Sequence, residues 1–220
     1  MSAQSKLLLP SMMCADFGHL ADEVTALEAA GADGFHLDLM DGTYVPNYGM
    51  GLQDIEWICK NATVPCDVHM MVENPGRYID KFAAMGAQVI YVHPEADPHV
   101  ARTLATIREL GVRAGIAINP GTSFSAVEPV LSLCDYVLAM TVNPGFAGQA
   151  WLDFVNPKLE QLVAANHEGA NHYEVLVDGN CSPGRIAQAN GMGVRGFVLG
   201  TAGLFGRGDY GTTMAALRAL

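Results

Sequence analysis

Four residues of this 220-residue chain have the types and spacing to do chemistry together. His36 and Asp38 stand in Gly34-Phe35-His36-Leu37-Asp38-Leu39-Met40-Asp41-Gly42, His69 in Asp67-Val68-His69-Met70-Met71, and Asp178 in Val175-Leu176-Val177-Asp178-Gly179. Each stretch reads as an apolar strand with polar groups inserted. Alternate residues of an extended chain share a face, so His36, Asp38 and Met40 point the same way. A strand buried on both faces tolerates a His and an Asp only if something satisfies them. Two imidazoles and two carboxylates at one place form a mixed nitrogen–oxygen set, suited to one Zn²⁺, Fe²⁺, Mn²⁺ or Co²⁺ better than to Ca²⁺ or Mg²⁺. The same groups equally compose a buried hydrogen-bond network, and spacing alone leaves both readings open.

The elements that must position these residues alternate along the whole chain. Apolar runs predict strands over Leu7–Pro10, Phe35–Met40, Val64–Met71, Val89–His93, Val112–Ile118, Tyr136–Met140, Tyr173–Val177 and Val194–Leu199. Helical spacing follows each: Asp16–Ala30 with Asp16 as N-cap and Gly31 as stop, Leu52–Lys60, Pro75–Met85, Asp97–Leu110, Ser123–Leu133, Leu152–Ala165, Pro183–Asn190 and Tyr210–Leu220. Eight strand–helix units with no visible linker predict one (β/α)8 barrel domain over residues 1–220. An open doubly wound sheet is the alternative, but no GxGxxG follows the first strand.

Barrel enzymes carry their reactive groups at the carboxyl ends of the strands, where His36, Asp38, His69 and Asp178 fall. Met40, Met71 and Met140 also close strands; they are gap-filling core residues or an apolar floor that keeps water from a reactive carbanion. Glycine-bearing loops come after the last three strands: Asn143-Pro144-Gly145-Phe146-Ala147-Gly148-Gln149, Asp178-Gly179 and Gly200-Thr201-Ala202-Gly203. Such loops are ordinary turns or a phosphate site built from backbone N–H groups. A backbone site needs no Lys or Arg, which suits a chain of formal net charge -11.

That charge argues against nucleic acid or an anionic membrane as partner. No apolar run approaches the ~20 residues of a membrane span, and Lys6-Leu7-Leu8-Leu9-Pro10 is too short for a signal segment. Five cysteines, odd in number and without a CxxC pair, fit free thiols in a reducing cytoplasm. A chain that is 50% hydrophobic fits a well-buried enzyme with homo-oligomer interfaces. No strand end offers the lysine that a metal-free decarboxylase or synthase would use. Asp41 reads as ordering the loop after the second strand. His93 is either a partner to a metal ligand or a satisfied core residue, while His19, His99, His167 and His172 read as surface residues.

Over nearly its whole length the chain resembles ribulose-phosphate 3-epimerases. The matching segments are Pro10-Ser11, His36 to Gly42, Val45-Pro46-Asn47, Asp67 to Met71, Val92-His93-Pro94-Glu95, Asn143 to Gln149 and Val177-Asp178-Gly179. The resemblance implies one divalent metal held by His36, Asp38, His69 and Asp178, with Asp38 and Asp178 as the acid–base pair. It also implies Ser11 near a small sugar-phosphate substrate and the three methionines over the metal. The phosphate is then expected on the backbone of Gly179, Gly200 and Thr201, near Gly145, Phe146, Ala147 and Gly148. Asn180 and Cys181 stand where the family usually has a second glycine and its neighbour, and Gly200-Thr201-Ala202 departs from its usual last loop. Those departures look more like the allulose-6-phosphate 3-epimerase branch. They favour allulose 6-phosphate and fructose 6-phosphate as the expected pair, with ribulose 5-phosphate and xylulose 5-phosphate as the alternative.

Overall fold

The computed structural model describes residues 5–168 and 172–220, without the side chains of residues 167 and 168, so the surface position expected of His167 lies outside the described residues. His19, His99 and His172 are exposed.

The strands are β1 (Leu7–Pro10), β2 (Phe35–Met40), β3 (Cys66–Met71), β4 (Val89–Val92), β5 (Arg113–Ile118), β6 (Tyr136–Met140), β7 (Glu174–Asp178) and β8 (Gly196–Leu199). Between and after them run α1 (Leu20–Ala29), α2 (Leu52–Asn61), α3 (Ile79–Met85), α4 (Val100–Glu109), α5 (Phe124–Val127), α6 (Asn156–Glu168), α7 (Pro183–Gly191) and α8 (Tyr210–Arg218). All seven strand pairs are parallel, in the order β1-β8-β7-β6-β5-β4-β3-β2. The remaining edge closes where Ser11 bridges His36 in parallel and the Asp33 N–H donates to the Leu8 carbonyl at 3.0 Å. The molecule is a (β/α)8 barrel.

Alternation along each strand builds two cores. Outward residues such as Leu37, Val68, Ile90, Ile116, Val137 and Phe197 pack under the helices. Inward residues Val89, Tyr91, Ala117, Leu138, Met140, Leu176 and Val198 fill the barrel. Tyr91 fits there because Gly115 faces it: a Cβ on Gly115 would lie 2.2 Å from the ring. Near the amino ends of the strands a cavity of about 190 Å³ remains, lined in part by Asp67, Tyr91, Arg113 and Tyr136.

Several helices start later than periodicity predicts, each for a local reason. Asp16 caps the Gly18 N–H at 2.8 Å, but a 3-10 turn over Phe17–His19 intervenes before α1. Asp97 accepts from the His99 N–H at 2.8 Å, which delays α4 to Val100. The helix expected over Ser123–Leu133 is α-helical only to Val127 and continues as a 3-10 turn over Glu128–Leu133. Pro129 lacks the N–H an α-helix needs there. Among the described residues no helix is long and apolar enough to cross a membrane.

Candidate active site

Strand register brings the four polar residues together. In the β2–β3 pair, His36 is opposite Asp67, Asp38 opposite His69, and Met40 opposite Met71. Asp178 ends β7, separated from β2 around the ring by β8 and β1. His36 Nε2, Asp38 Oδ1, His69 Nδ1 and Asp178 Oδ2 converge, and a set of ligand atoms from these residues lies within 4.8 Å of one another. The two ring nitrogens are 3.3 Å apart; Asp38 Oδ1 lies 3.3 Å from His36 and 3.2 Å from His69, and Asp178 Oδ2 lies 3.9 and 3.8 Å from the same atoms. Ligands at ~2.1 Å around a tetrahedral centre are ~3.4 Å apart, so the set fits a transition-metal cation by size and by chemistry.

Electrostatics points the same way. Burial alone would lower the pKa of the His36 imidazole, yet Asp67 and Asp38 raise it well above the usual value. The cluster therefore has an excess of negative charge that a proton or a metal ion offsets. Burial also opposes ionisation of Asp38, but His36 and His69 hold its carboxyl well below the usual range. Asp178, 19% exposed, is pushed up to about 6 by burial and by the charge of Asp38. Without a metal, then, one carboxylate is poised ionised and the other close to protonation.

Further groups hold the cluster. Ser11 Oγ donates to Asp38 Oδ2 at 2.7 Å, leaving Oδ1 for the cluster. Asp67 approaches His36 Nδ1 to 2.5 Å from below without hydrogen-bond geometry; among the described residues neither of its carboxylate oxygens has a hydrogen-bond partner, and the residue borders the lower cavity. His69 Nε2 is 2.8 Å from His93 Nε2, and His93 is fully buried. Asp41 accepts from the N–H groups of Thr43, Tyr44 and Glu73 at 2.8–2.9 Å, so it orders the loop after β2 as expected.

A pocket opens above the cluster at the carboxyl ends of the strands. It is lined by Ser11, Asp38, Met40, Met71, Met140, Gly145, Phe146, Ala147, Gly148, Asp178, Gly179, Gly200 and Thr201, together with Cys14, Asn180 and Cys181. His36 and His69 lie beneath it with no exposure. The methionines divide: Met40 and Met71 pack with Val45, whereas Met140 belongs to the barrel interior. Burial, then the charge of Asp38, pushes the Cys14 thiol up to about 11, so it stays neutral. Among the described residues, no Lys or Arg lines the pocket. Among the described residues, the N–H groups of Asn180, Gly200 and Ala202 donate to no protein acceptor. Gly179 has φ +121, and a Cβ there would meet Val142 at 2.7 Å. Amide donors tie the loop after β6 in place: Asn47 to the Gly145 carbonyl at 2.7 Å, Gln149 to Asn143 at 2.6 Å and Asn180 to Gln149 at 2.7 Å.

Asp67, Glu95, Asn47 and Gln149 were not singled out by type and spacing. For Asp67 the signal was present: it stands two residues before His69, on the same strand face.

A closed parallel barrel with a two-His, two-carboxylate cluster under a glycine-lined mouth defines a barrel enzyme with its site for a small molecule at the carboxyl ends of the strands. Residues 7–204 match the model of the ribulose-phosphate 3-epimerase family. The ribulose-phosphate 3-epimerase of Aquifex aeolicus (strain VF5) is 40% identical over 215 residues, covering 98% of this chain and 96% of that protein. The protein of the same name from Bacillus subtilis (strain 168) is 39% identical over 210 residues, covering 95% and 96%. The solved structure of 3-keto-L-gulonate-6-phosphate decarboxylase from Vibrio cholerae shares the fold at a TM-score of 0.71 and 17% identity, covering 98% of this chain and 97% of that one. The chain belongs to the ribulose-phosphate 3-epimerase family. It is an isomerase, a 3-epimerase of a carbohydrate phosphate.

Proposed function

We propose that the chain interconverts D-ribulose 5-phosphate and D-xylulose 5-phosphate by inverting C3. The observation that carries this reading is near-full-length identity of about 40% to proteins named ribulose-phosphate 3-epimerase, with the four-residue cluster assembled at the barrel mouth. The expectation of allulose 6-phosphate gains no support from those relatives. It survives as a second reading because Asn180, Cys181, Thr201 and Ala202, among the residues that prompted it, border the pocket.

The C–H next to a ketone is a weak acid, so the barrier lies in forming the enediolate. A divalent cation held by His36, Asp38, His69 and Asp178 would supply Lewis-acid stabilisation of the charge developing on the substrate oxygens. Inversion needs a proton removed on one face and returned on the other. Asp38 and Asp178 come from separated strands, and their environments drive their pKa values apart, one ionised and one near protonation. Each takes the role of base for one direction of reaction. Ser11 holds Asp38 by its far oxygen, Met40, Met71 and Met140 exclude water, and unpaired N–H groups around Gly179, Gly200 and Thr201 receive the phosphate. The five free thiols accord with a reducing cytoplasm. Exposed Phe17, Trp57 and Phe154 accord with association into a homo-oligomer.

The test is kcat/KM on ribulose 5-phosphate, allulose 6-phosphate and unphosphorylated allulose with metal supplied. Preference for the pentulose supports the proposal, and preference for the hexulose replaces it with the second reading. Equal use of the free sugar removes the phosphate site.

A further inference from the structure

We infer that His93 and Glu95 position the ligand His69, fixing its proton on Nε2 so that Nδ1 is the nitrogen presented to the metal. The inference rests on the metal reading of the cluster. His69 Nδ1 is the ring atom that converges with His36 Nε2 and Asp38 Oδ1, so its lone pair must be free and the ring proton must sit on Nε2. His69 Nε2 lies 2.8 Å from His93 Nε2. Of two ring nitrogens at that distance one donates and the other accepts. His93 Nε2 is therefore the acceptor, and a neutral His93 carries its own proton on Nδ1. That nitrogen faces Glu95 Oε2 at 3.3 Å. This arrangement puts a donor opposite an acceptor at each step from Glu95 to the metal cluster, the His93–Glu95 step being a close approach of charge without hydrogen-bond geometry.

The far end of this chain is built to stay still. Glu95 Oε1 accepts from the Asn119 N–H at 2.9 Å and from Thr122 Oγ1. Lys158 Nζ donates to the carbonyls of Asn119, Pro120 and Thr122 at 2.6, 3.1 and 2.9 Å, pinning the loop that supplies those donors. Tyr44 lies over His93 with ring centroids 4.9 Å apart, and its hydroxyl accepts from Asn119 Nδ2 at 2.7 Å. A ligand histidine donating its second N–H to a fixed acceptor keeps its orientation and gains basicity, and loss of such a partner typically costs 10–100-fold in metal affinity.

Metal-free protein titrated with Co²⁺, followed by its visible absorption, tests this. His93→Leu should weaken Co²⁺ binding roughly 10–100-fold. His93→Gln, whose carbonyl oxygen can replace Nε2 as acceptor, should recover most of the loss, and Glu95→Gln should fall between. A His93→Leu protein with native circular dichroism and wild-type Co²⁺ affinity overturns the inference. Should that variant not fold, ¹⁵N-histidine NMR of the Zn²⁺-loaded wild type decides. The expected result is Nε2–H on His69 with Nδ1–H on His93; a proton on His93 Nε2 overturns it. Wild-type protein that binds neither ion overturns the metal reading together with this one, whereas unchanged binding in His93→Leu overturns this one alone.

Discussion

Ser11 donates its hydroxyl to Asp38 Oδ2 at 2.7 Å, and the same residue bridges His36 where the barrel closes. Closure of the fold, through the Ser11 backbone, and aim of the carboxylate, through its hydroxyl, thus meet at one residue just after β1. Ser11→Ala leaves a buried carboxylate oxygen unpaired, at a cost of about 1–3 kcal/mol in stability. It also frees Asp38 to rotate away from the cluster. We expect kcat to drop about ten-fold with a smaller change in KM, a loss of roughly 1.4 kcal/mol in barrier height. A variant with wild-type kcat would show that other groups hold Asp38.

Elemental analysis of protein purified without chelator should find about one divalent transition metal per chain, as four nitrogen and oxygen donors imply. His36→Ala and His69→Ala each remove one donor from a site that has two imidazoles. Both should lose the metal and turnover together. Full activity in either variant rules out the metal assignment.

Asp38→Asn and Asp178→Asn should each abolish epimerisation, because each face of the substrate needs its own proton carrier. Both residues also belong to the cluster, so lost turnover alone does not separate the roles. Exchange in deuterated solvent does. A variant that retains metal and incorporates deuterium at C3 without inverting has kept one proton carrier and lost the other. Normal epimerisation by either variant would remove the two-base mechanism.

The barrel was legible because strand runs such as Phe35–Met40 and Tyr173–Val177 alternate with helices eight times, a count that favours closure over an open doubly wound sheet. The four converging residues were legible because a polar group on an apolar strand has to be satisfied. What stayed hidden depends on lateral contacts between strands. Asp67 meets His36 through the β2–β3 register, and His93 meets His69 across β3 and β4. Glu95 reaches His93 from a 3-10 turn and is held by Asn119 and Thr122, both more than twenty residues away. Periodicity within one element carries no information about such pairs. The late helix starts were hidden for the opposite reason: side-chain caps and prolines act within a few residues and override helical propensity.

Glu95 gives the protein a defined acid sensitivity. Burial would raise its carboxyl, but hydrogen bonds from His93, Thr122 and the Asn119 N–H bring it down to about 2 from an ordinary value of 4.5. The unfolded chain therefore takes up a proton between about pH 4.5 and 2 that the folded chain refuses, so stability rises with pH across that window. The contribution is fully present above about pH 4.5 and is lost as pH falls toward 2. At ~1.4 kcal/mol per pH unit the full shift corresponds to about 3 kcal/mol, and solvent screening of this partly exposed side chain reduces it to roughly 2 kcal/mol. Glu95→Gln keeps the shape and removes the ionisation. In urea unfolding of metal-free protein, the stability gap between wild type and Glu95→Gln should be constant from about pH 7 to 5 and then shrink by roughly 2 kcal/mol toward pH 2. A gap of equal size at both ends of that range would mean that the Glu95 carboxylate draws nothing from its partners, and the anchor of the His93 chain would have to lie elsewhere.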